Sequence, residues 1–249
     1  MKPKVIAVVG PTASGKTKLA IELAHKYDGE VVSADSRLVY KGFDIASAKP
    51  TMEEREGVPH HLIDIVEPEF DYSAGKYAED AKVAIEDILS RGKMPIVAGG
   101  TGLYFRVLLE NYNLPKVETD YVLRSDLEKR DKADLLAELE KLDKITYERV
   151  KDANLRRIIR ALELIKLLGK PLSSVSMEKE PEYDVEWIMP EIPSREWLYE
   201  RINRRVDIMV EMGVIEETQN LIKIHGRIPN IVDTIGYKEI LTYLDGVAT

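Results

Sequence analysis

The chain has 249 residues, 44% of them hydrophobic and 32% charged, with a net charge of −8 and no cysteine. Disulfides, thiolate metal sites and cysteine nucleophiles are therefore excluded, and no apolar run reaches the ~20 residues that a membrane helix needs. The length suits one large domain, or a domain carrying a smaller inserted one. The first residues, MKPK, run straight into a strand-like segment, which reads as no signal peptide and makes the cytoplasm the expected compartment. The acidic balance argues against nucleic acid as a partner, but a local basic strip can hold a polyanion on an acidic protein.

In chain order, Lys4 to Val9 is a short β-branched run that predicts a buried parallel strand. A Gly-rich loop follows, then a helix over about Lys16 to Tyr27 with Leu19, Leu23 and Tyr27 at helical spacing. Glu30 to Ala34 predicts a second strand ending on Asp35-Ser36, and His61 to Val66 a third. Tyr77 to Leu89 reads as an amphipathic helix with Ala81, Ala84, Ile85, Ile88 and Leu89 on its apolar side. Met94 to Ala98 is another strand, ending in Gly99-Gly100-Thr101-Gly102. From about Asp120 to Leu168 the pattern is helical only, with Leu135, Leu139 and Leu142 at helical spacing, and Gly169-Lys170-Pro171 closes it. Val185 to Met189 returns to strand, and a long helix runs from about Arg195 to Glu211. On that helix Ile202, Val206, Met209 and Val210 are expected to pack.

Strands alternating with helices predict an α/β protein with a doubly wound parallel sheet, and the loop GPTASGKT after its first strand makes the expected fold P-loop NTPase-like. Residues 1–114 and 182–249 are expected to form this core, and 115–181 a helical insertion.

Gly10 to Thr17, GPTASGKT, matches the G-x-x-x-x-G-K-[ST] phosphate loop, with a strand before it and a helix after. Gly10 and Gly15 let the backbone curl so that the N–H groups of Thr12, Ala13, Ser14 and their neighbours face an anion. Lys16 adds a full positive charge, and the Thr17 hydroxyl can serve Mg²⁺. The loop specifies a diphosphate or longer and does not by itself specify ATP. Asp35 and Thr101 offer a carboxylate and a hydroxyl at the carboxyl edge of the sheet, where open α/β sheets bind ligands.

Seven segments, in order, carry a family resemblance: GPTASGKT, DSRLVYKGFDIASAKPT (35–51), VPHHLIDI (58–65), GGTGLY (99–104), RRIIRALEL (156–164), LYERINRRVDIMVEMG (198–213) and IGYKEILTYLDG (235–246). The chain resembles the tRNA dimethylallyltransferases over nearly its whole length. The resemblance implies transfer of a dimethylallyl group from dimethylallyl diphosphate to the exocyclic N6 of the adenosine on the 3′ side of the anticodon. It implies the prenyl diphosphate in the phosphate loop with Mg²⁺, Asp35 as the base that takes the amine proton, and Thr101 as a donor to the bridging oxygen.

The family places an arginine from the long C-terminal helix on the diphosphate. Here Arg201 is favoured, with Arg205 one turn on; together with Trp197 they share one helix face. The resemblance also implies tRNA contacts at Asp35, Ser36, Arg37, Leu38 and Thr101, at Arg124, and at Gly236, Tyr237 and Lys238. Between Asn154 and Lys170, Arg156, Arg157, Arg160, Lys166 and Lys170 face one acid, Glu163, and the three arginines are expected to grip phosphates. A monomer is expected.

Plainer roles stay open at this point. Asp35 can be a Mg²⁺ ligand, Thr101 a helix cap, and the arginines a solvated face. His60-His61 reads as structural, since neighbours on a strand point to opposite sides. A small-molecule kinase leaves GGTGLY and the basic segments without a task, and a prenyltransferase of free adenine nucleotides has no need of the insertion. Two departures from the family pattern stand out: Lys151 where many relatives place a histidine, and a chain that ends at Thr249, shortly after Tyr243-Leu244-Asp245-Gly246, where the family continues into an Arg- and Gln-rich helix.

Overall fold

Five short, mostly β-branched segments form strands: β1 (Lys4–Val8), β2 (Gly29–Ser33), β3 (His60–His61), β4 (Met94–Ala98) and β5 (Asp184–Ile188). They make one parallel sheet in the order β3-β2-β4-β1-β5. The computed structural model describes residues 2–112, 114, 115, 117, 119–176 and 180–247. The chain divides into two units, Met1–Glu110 with Pro181–Thr249, and Asn111–Glu180.

In the first unit, Ile96 of β4 lies opposite both Ile6 of β1 and Val31 of β2. Side chains alternate along a strand, so these residues and Val8 share one face. They pack against α1 (Lys16–Tyr27) through Ala20, Ile21 and Ala24. The small residues of α1, rather than Leu19, Leu23 and Tyr27, thus form its buried stripe; Leu19 and Leu23 are only partly covered and Tyr27 is exposed. The helix α2 (Ala74–Ser90) lies against β2 and β4, is capped by the Ser73 hydroxyl, and buries Tyr77, Ala81, Ile85 and Ile88. After β4 comes α3 (Gly102–Leu109).

Of the strand expected over His61 to Val66, only His61 lies in β3, because Leu62 and Asp64 adopt left-handed conformations, with φ of 63° and 57°. A lone bridge between Tyr40 and Val66 is what pairing remains there.

One carboxylate sits inside this unit. Glu30 on β2 is almost wholly buried and meets Arg91 through a paired contact (Nη2–Oε2 2.8 Å), His61 Nε2 at 2.8 Å and the Lys93 ammonium at 3.4 Å. The Arg91 hydrogen bonds, against the opposing effect of burial and with help from His61, hold its carboxyl down from the usual 4.5 to about 2. The folded pKa is depressed, so the stabilisation is complete above the unfolded value and is lost as pH falls from about 4.5 toward about 2. Arg91→Ala is expected to lower Tm by ~3–6 °C at neutral pH and to raise the pH at which Glu30 protonates. Thermal melts of both proteins between pH 2 and 7 check this; parallel Tm–pH curves would remove Glu30 as the source.

The second unit is helical: α4 (Tyr121–Glu128), α5 (Lys132–Leu142), α6 (Lys144–Val150) and α7 (Leu155–Leu168). Asp120 and Asn154 cap α4 and α7 by accepting from Leu123 N and Arg157 N, and Gly169 ends α7 in the left-handed region. Leu127, Leu135, Leu139, Ile158, Leu162 and Ile165 make its core.

The C-terminal part of the first unit adds α8 (Arg195–Glu211), α9 (Val214–His225), α10 (Pro229–Val232) and α11 (Tyr237–Leu244). Contrary to the sequence expectation, α8 buries none of its residues: Ile202 and Met209 are half-buried, while Val206 and Val210 are exposed. Its link to the phosphate loop is polar: Arg201 hydrogen-bonds the loop, and Arg205, one turn on, is half-buried.

Candidate active site

The loop between β1 and α1 passes through positive φ at Gly10 (153°), Ala13 (62°) and Gly15 (92°). This reversal delivers the chain to the N-terminus of α1 at Lys16. Lys16 Nζ donates to the Pro11 carbonyl at 2.5 Å, across the loop. Thr12 and Thr17 are exposed; Ser14 is buried, and its hydroxyl has no hydrogen-bond partner. From α8, Arg201 Nε donates to the Ala13 carbonyl at 2.7 Å, and its guanidinium lies 4.8 Å from the centre of the Trp197 ring.

The electrostatics join these groups. Burial and the Arg205 guanidinium pull Lys16 below the usual ammonium range, and Asp35 opposes them. Burial and Arg201 pull Arg205 down in turn, opposed by Glu54 and Asp35. Arg205 therefore repels both Lys16 and Arg201 beside a single loop, an arrangement that an anion relieves.

Asp35 follows β2 and Thr101 follows β4, and the backbone stitches these strand ends together. Ala34 N donates to Ala98 O at 2.8 Å, and Ala34 O accepts from Thr101 N at 3.1 Å. Gly99 passes so close that a Cβ there would lie 2.1 Å from the Ala34 carbonyl oxygen. Thr101 Oγ1 accepts from Ser36 N at 3.0 Å and does not cap α3. Asp35 Oδ1 accepts from Arg37 N at 2.8 Å. Each catalytic candidate thus uses one acceptor site to fix its orientation; the Thr101 hydroxyl proton and Asp35 Oδ2 take no part in those bonds.

Ser36, Arg37 and Leu38 are half-buried. Arg37 reaches the Thr234 hydroxyl at 3.0 Å, which ties it to the corner before α11. In that corner Gly236 is half-buried and Lys238 exposed, but the Tyr237 side chain, expected at RNA, is fully buried. It packs edge-on to Phe43 and donates to Glu217.

In the second unit, Arg156 and Arg157 are exposed. Arg124 and Arg160 instead converge on Glu163, at 2.9 and 2.8 Å, and Glu163 is completely buried. The sequence contained a signal for this: Glu163 stands one turn after Ile159, in the apolar stripe of α7. His60 and His61 bond Val58 O and Glu30, and among the described residues no group of three His, Asp or Glu could hold a metal.

A cavity of about 350 Å³ opens at the same sheet edge, against Gly10, Gly99, Gly100, Phe105 and Trp187. A larger hollow of about 580 Å³ lies beside the first residues of β1 and β5; it shares Trp187 but is not lined by the phosphate loop, Asp35, Thr101, Arg201 or Arg205, so the chemistry is placed by the converging charges and not by the larger space.

The IPP transferase family model matches residues 38–249 and the isopentenyl transferase model residues 3–67. The tRNA dimethylallyltransferase of Pelotomaculum thermopropionicum is 44% identical over 98% of this chain and 80% of its own length. The tRNA dimethylallyltransferase 1 of Trichlorobacter lovleyi is 46% identical over 99% and 83%. Among solved structures, the full-length tRNA isopentenylpyrophosphate transferase of Bacillus halodurans superposes with a TM-score of 0.70 at 42% identity, covering 100% of this chain and 79% of that one. A eukaryotic dimethylallyltransferase acting on tRNA reaches a TM-score of 0.80 at 31% identity, covering 98% of this chain and 64% of that one. The loop, the paired strand ends and these likenesses lead to one assignment: the chain belongs to the IPP transferase family, the family of the tRNA dimethylallyltransferases.

Proposed function

We propose that this protein transfers a dimethylallyl group from dimethylallyl diphosphate to the N6 amine of the adenosine that follows the anticodon in tRNA, releasing diphosphate. The observation that carries the reading is the crowd of Lys16, Arg201 and Arg205 around one phosphate loop, within electrostatic reach of the Asp35 carboxylate.

The adenine amine is a weak nucleophile because its lone pair is delocalised into the ring. As N6 attacks the allylic carbon, the C–O bond breaks and its electron pair leaves on the diphosphate. The amine proton passes to Asp35, whose Oδ1 is fixed by Arg37 N so that Oδ2 faces the reaction. Thr101, oriented by accepting from Ser36 N, donates a hydrogen bond to the bridging oxygen and keeps its proton. Lys16 exchanges the Pro11 carbonyl for a diphosphate oxygen, and with the two arginines and the loop amides it stabilises the departing charge.

The Thr17 hydroxyl is a hard oxygen donor that suits Mg²⁺; Thr17 is the residue assigned to hold the ion, which would supply further charge neutralisation. The protein acts in the cytoplasm as a monomer.

Arg156 and Arg157 on α7 are assigned to tRNA phosphates, as are the exposed Lys238 and the backbone at Gly236. Replacing both arginines by alanine is expected to raise the tRNA KM and to lower the slope of log KM against log salt by ~1–2. Titrating both proteins from 50 to 200 mM salt checks this, and an unchanged slope would move the RNA contact elsewhere. The function itself is tested with labelled dimethylallyl diphosphate offered to tRNA and to AMP, beside an ATP hydrolysis assay. Label in tRNA alone is expected. Label in AMP would make this a nucleotide prenyltransferase, and ATP turnover without transfer would return the loop to a nucleotide.

A further inference from the structure

We infer that Glu217 is a positioning residue that clamps the acceptor loop for tRNA. The segment after Asp35 runs to Lys49 with little regular structure, yet it has to present a fixed face to the RNA. Glu217, on α9, accepts from three consecutive backbone amides of this loop: Asp44 N at 3.2 Å, Ile45 N at 2.8 Å and Ala46 N at 3.1 Å. A fourth donor, the Tyr237 hydroxyl, reaches the same carboxylate at 2.7 Å. A carboxylate has about four acceptor positions, and here all are used.

The clamp joins three pieces that otherwise have no covalent reason to move together. The loop is knotted internally by Lys49, whose nearly buried side chain bonds Tyr40 O at 3.2 Å, Asp44 at 2.6 Å, and Asp64. Phe43 packs on Tyr40 and on Tyr237, with ring centres 5.2 and 5.0 Å apart. Arg37 ties the head of the loop to Thr234. Glu217 closes this circuit from the opposite end, so that the loop and the Thr234–Lys238 corner form one platform. Burial and the Glu217 charge hold the Tyr237 phenol far above its ordinary range, so it stays a donor.

The clamp grips Asp44 to Ala46 and makes no bond to Ser36 N or Arg37 N, the amides that set Thr101 and Asp35. It therefore governs how the RNA is met more than how the bond is made. This rests on the reading of the site as a tRNA prenyltransferase.

The test is Glu217→Gln, which keeps the shape but replaces one acceptor oxygen by an NH₂ facing N–H donors, together with the milder Tyr237→Phe. Glu217→Gln is expected to raise the tRNA KM ~10-fold, with kcat changed less than ~3-fold and the dimethylallyl diphosphate KM unmoved. Tyr237→Phe is expected to raise the tRNA KM ~3-fold. Backbone amide exchange at Asp44, Ile45 and Ala46 is expected to quicken in Glu217→Gln by at least ~10-fold. A tRNA KM within twofold of the parent in both variants overturns the clamp, as does an equal rise in both KM values, which marks a general scaffold defect. If Glu217→Gln does not fold, Tyr237→Phe decides alone. If the parent protein modifies no tRNA, the assigned function falls, and the clamp stands or falls on amide exchange.

Discussion

Asp35→Ala is expected to reduce prenyl transfer to tRNA by ~10³-fold or more while leaving dimethylallyl diphosphate affinity within about twofold. The size follows from the chemistry: the amine is non-basic, and no other carboxylate is tied to this point by the strand ends. The persistence of binding follows from the geometry. The diphosphate is assigned to the loop amides, Lys16, Arg201 and Arg205, and Asp35 enters that set only as an opposing charge. Removing it even favours an anion slightly. Single-turnover transfer measured beside equilibrium binding separates the two. Loss of diphosphate binding in the variant would make Asp35 a metal ligand, while transfer reduced less than about tenfold would transfer the base role to another group.

Gly99→Ala is expected to damage both stability and activity without touching any substrate. Its Cβ would lie 2.1 Å from Ala34 O and 2.3 Å from Ala34 C, and both are backbone atoms with no rotamer to swing aside. The ends of β2 and β4 must then separate, breaking the Ala34–Ala98 and Ala34–Thr101 hydrogen bonds that hold Asp35 next to Thr101. A loss of ~3 kcal/mol or more in unfolding free energy is expected, with kcat falling at least ~10²-fold in whatever fraction remains folded. Denaturant unfolding and active-site-normalised kinetics measure the two effects. Gly100, whose Cβ would meet nothing within 4 Å, is the matched control, and Gly100→Ala is expected to keep parental stability.

Much of the sheet was legible because parallel strands here are short β-branched runs with loops at fixed punctuation. The bounds of α1, β4 and α8 fall where the spacing and the flanking glycines and serines placed them. The failures have local physical causes. Helical spacing identified α1 but not its buried face, because a helix lying close on a sheet buries its small residues, Ala20 and Ala24. The strand expected after His61 fails on the left-handed turns at Leu62 and Asp64, which β-propensity does not register.

At the site, the phosphate loop and the two strand-end residues stand in contiguous motifs and were readable. Glu217 and Lys49 were not, since they act on backbone groups and on partners remote in sequence; Glu163 left a trace only in its place on the apolar stripe of α7. Likewise Arg124 and Arg160 look like free basic charge in the sequence, and only the fold shows that both serve a buried glutamate.

On the proposed assignment, the Lys16, Arg205 and Arg201 group also shapes the end of the catalytic cycle. Its complementarity is to the diphosphate and not to the five-carbon chain attached to it, so the cradle is expected to hold the departing product at least as firmly as the incoming substrate. Once the allylic bond has broken, the ion left behind carries more charge than the ester did, and the repulsion of Arg205 with Lys16 and Arg201 returns in full only when that ion departs. Escape of inorganic diphosphate is thus the step this loop is expected to slow. Pyrophosphate hydrolysis elsewhere in the cell, by keeping the free concentration low, would set how quickly the cradle is ready for its next allylic donor.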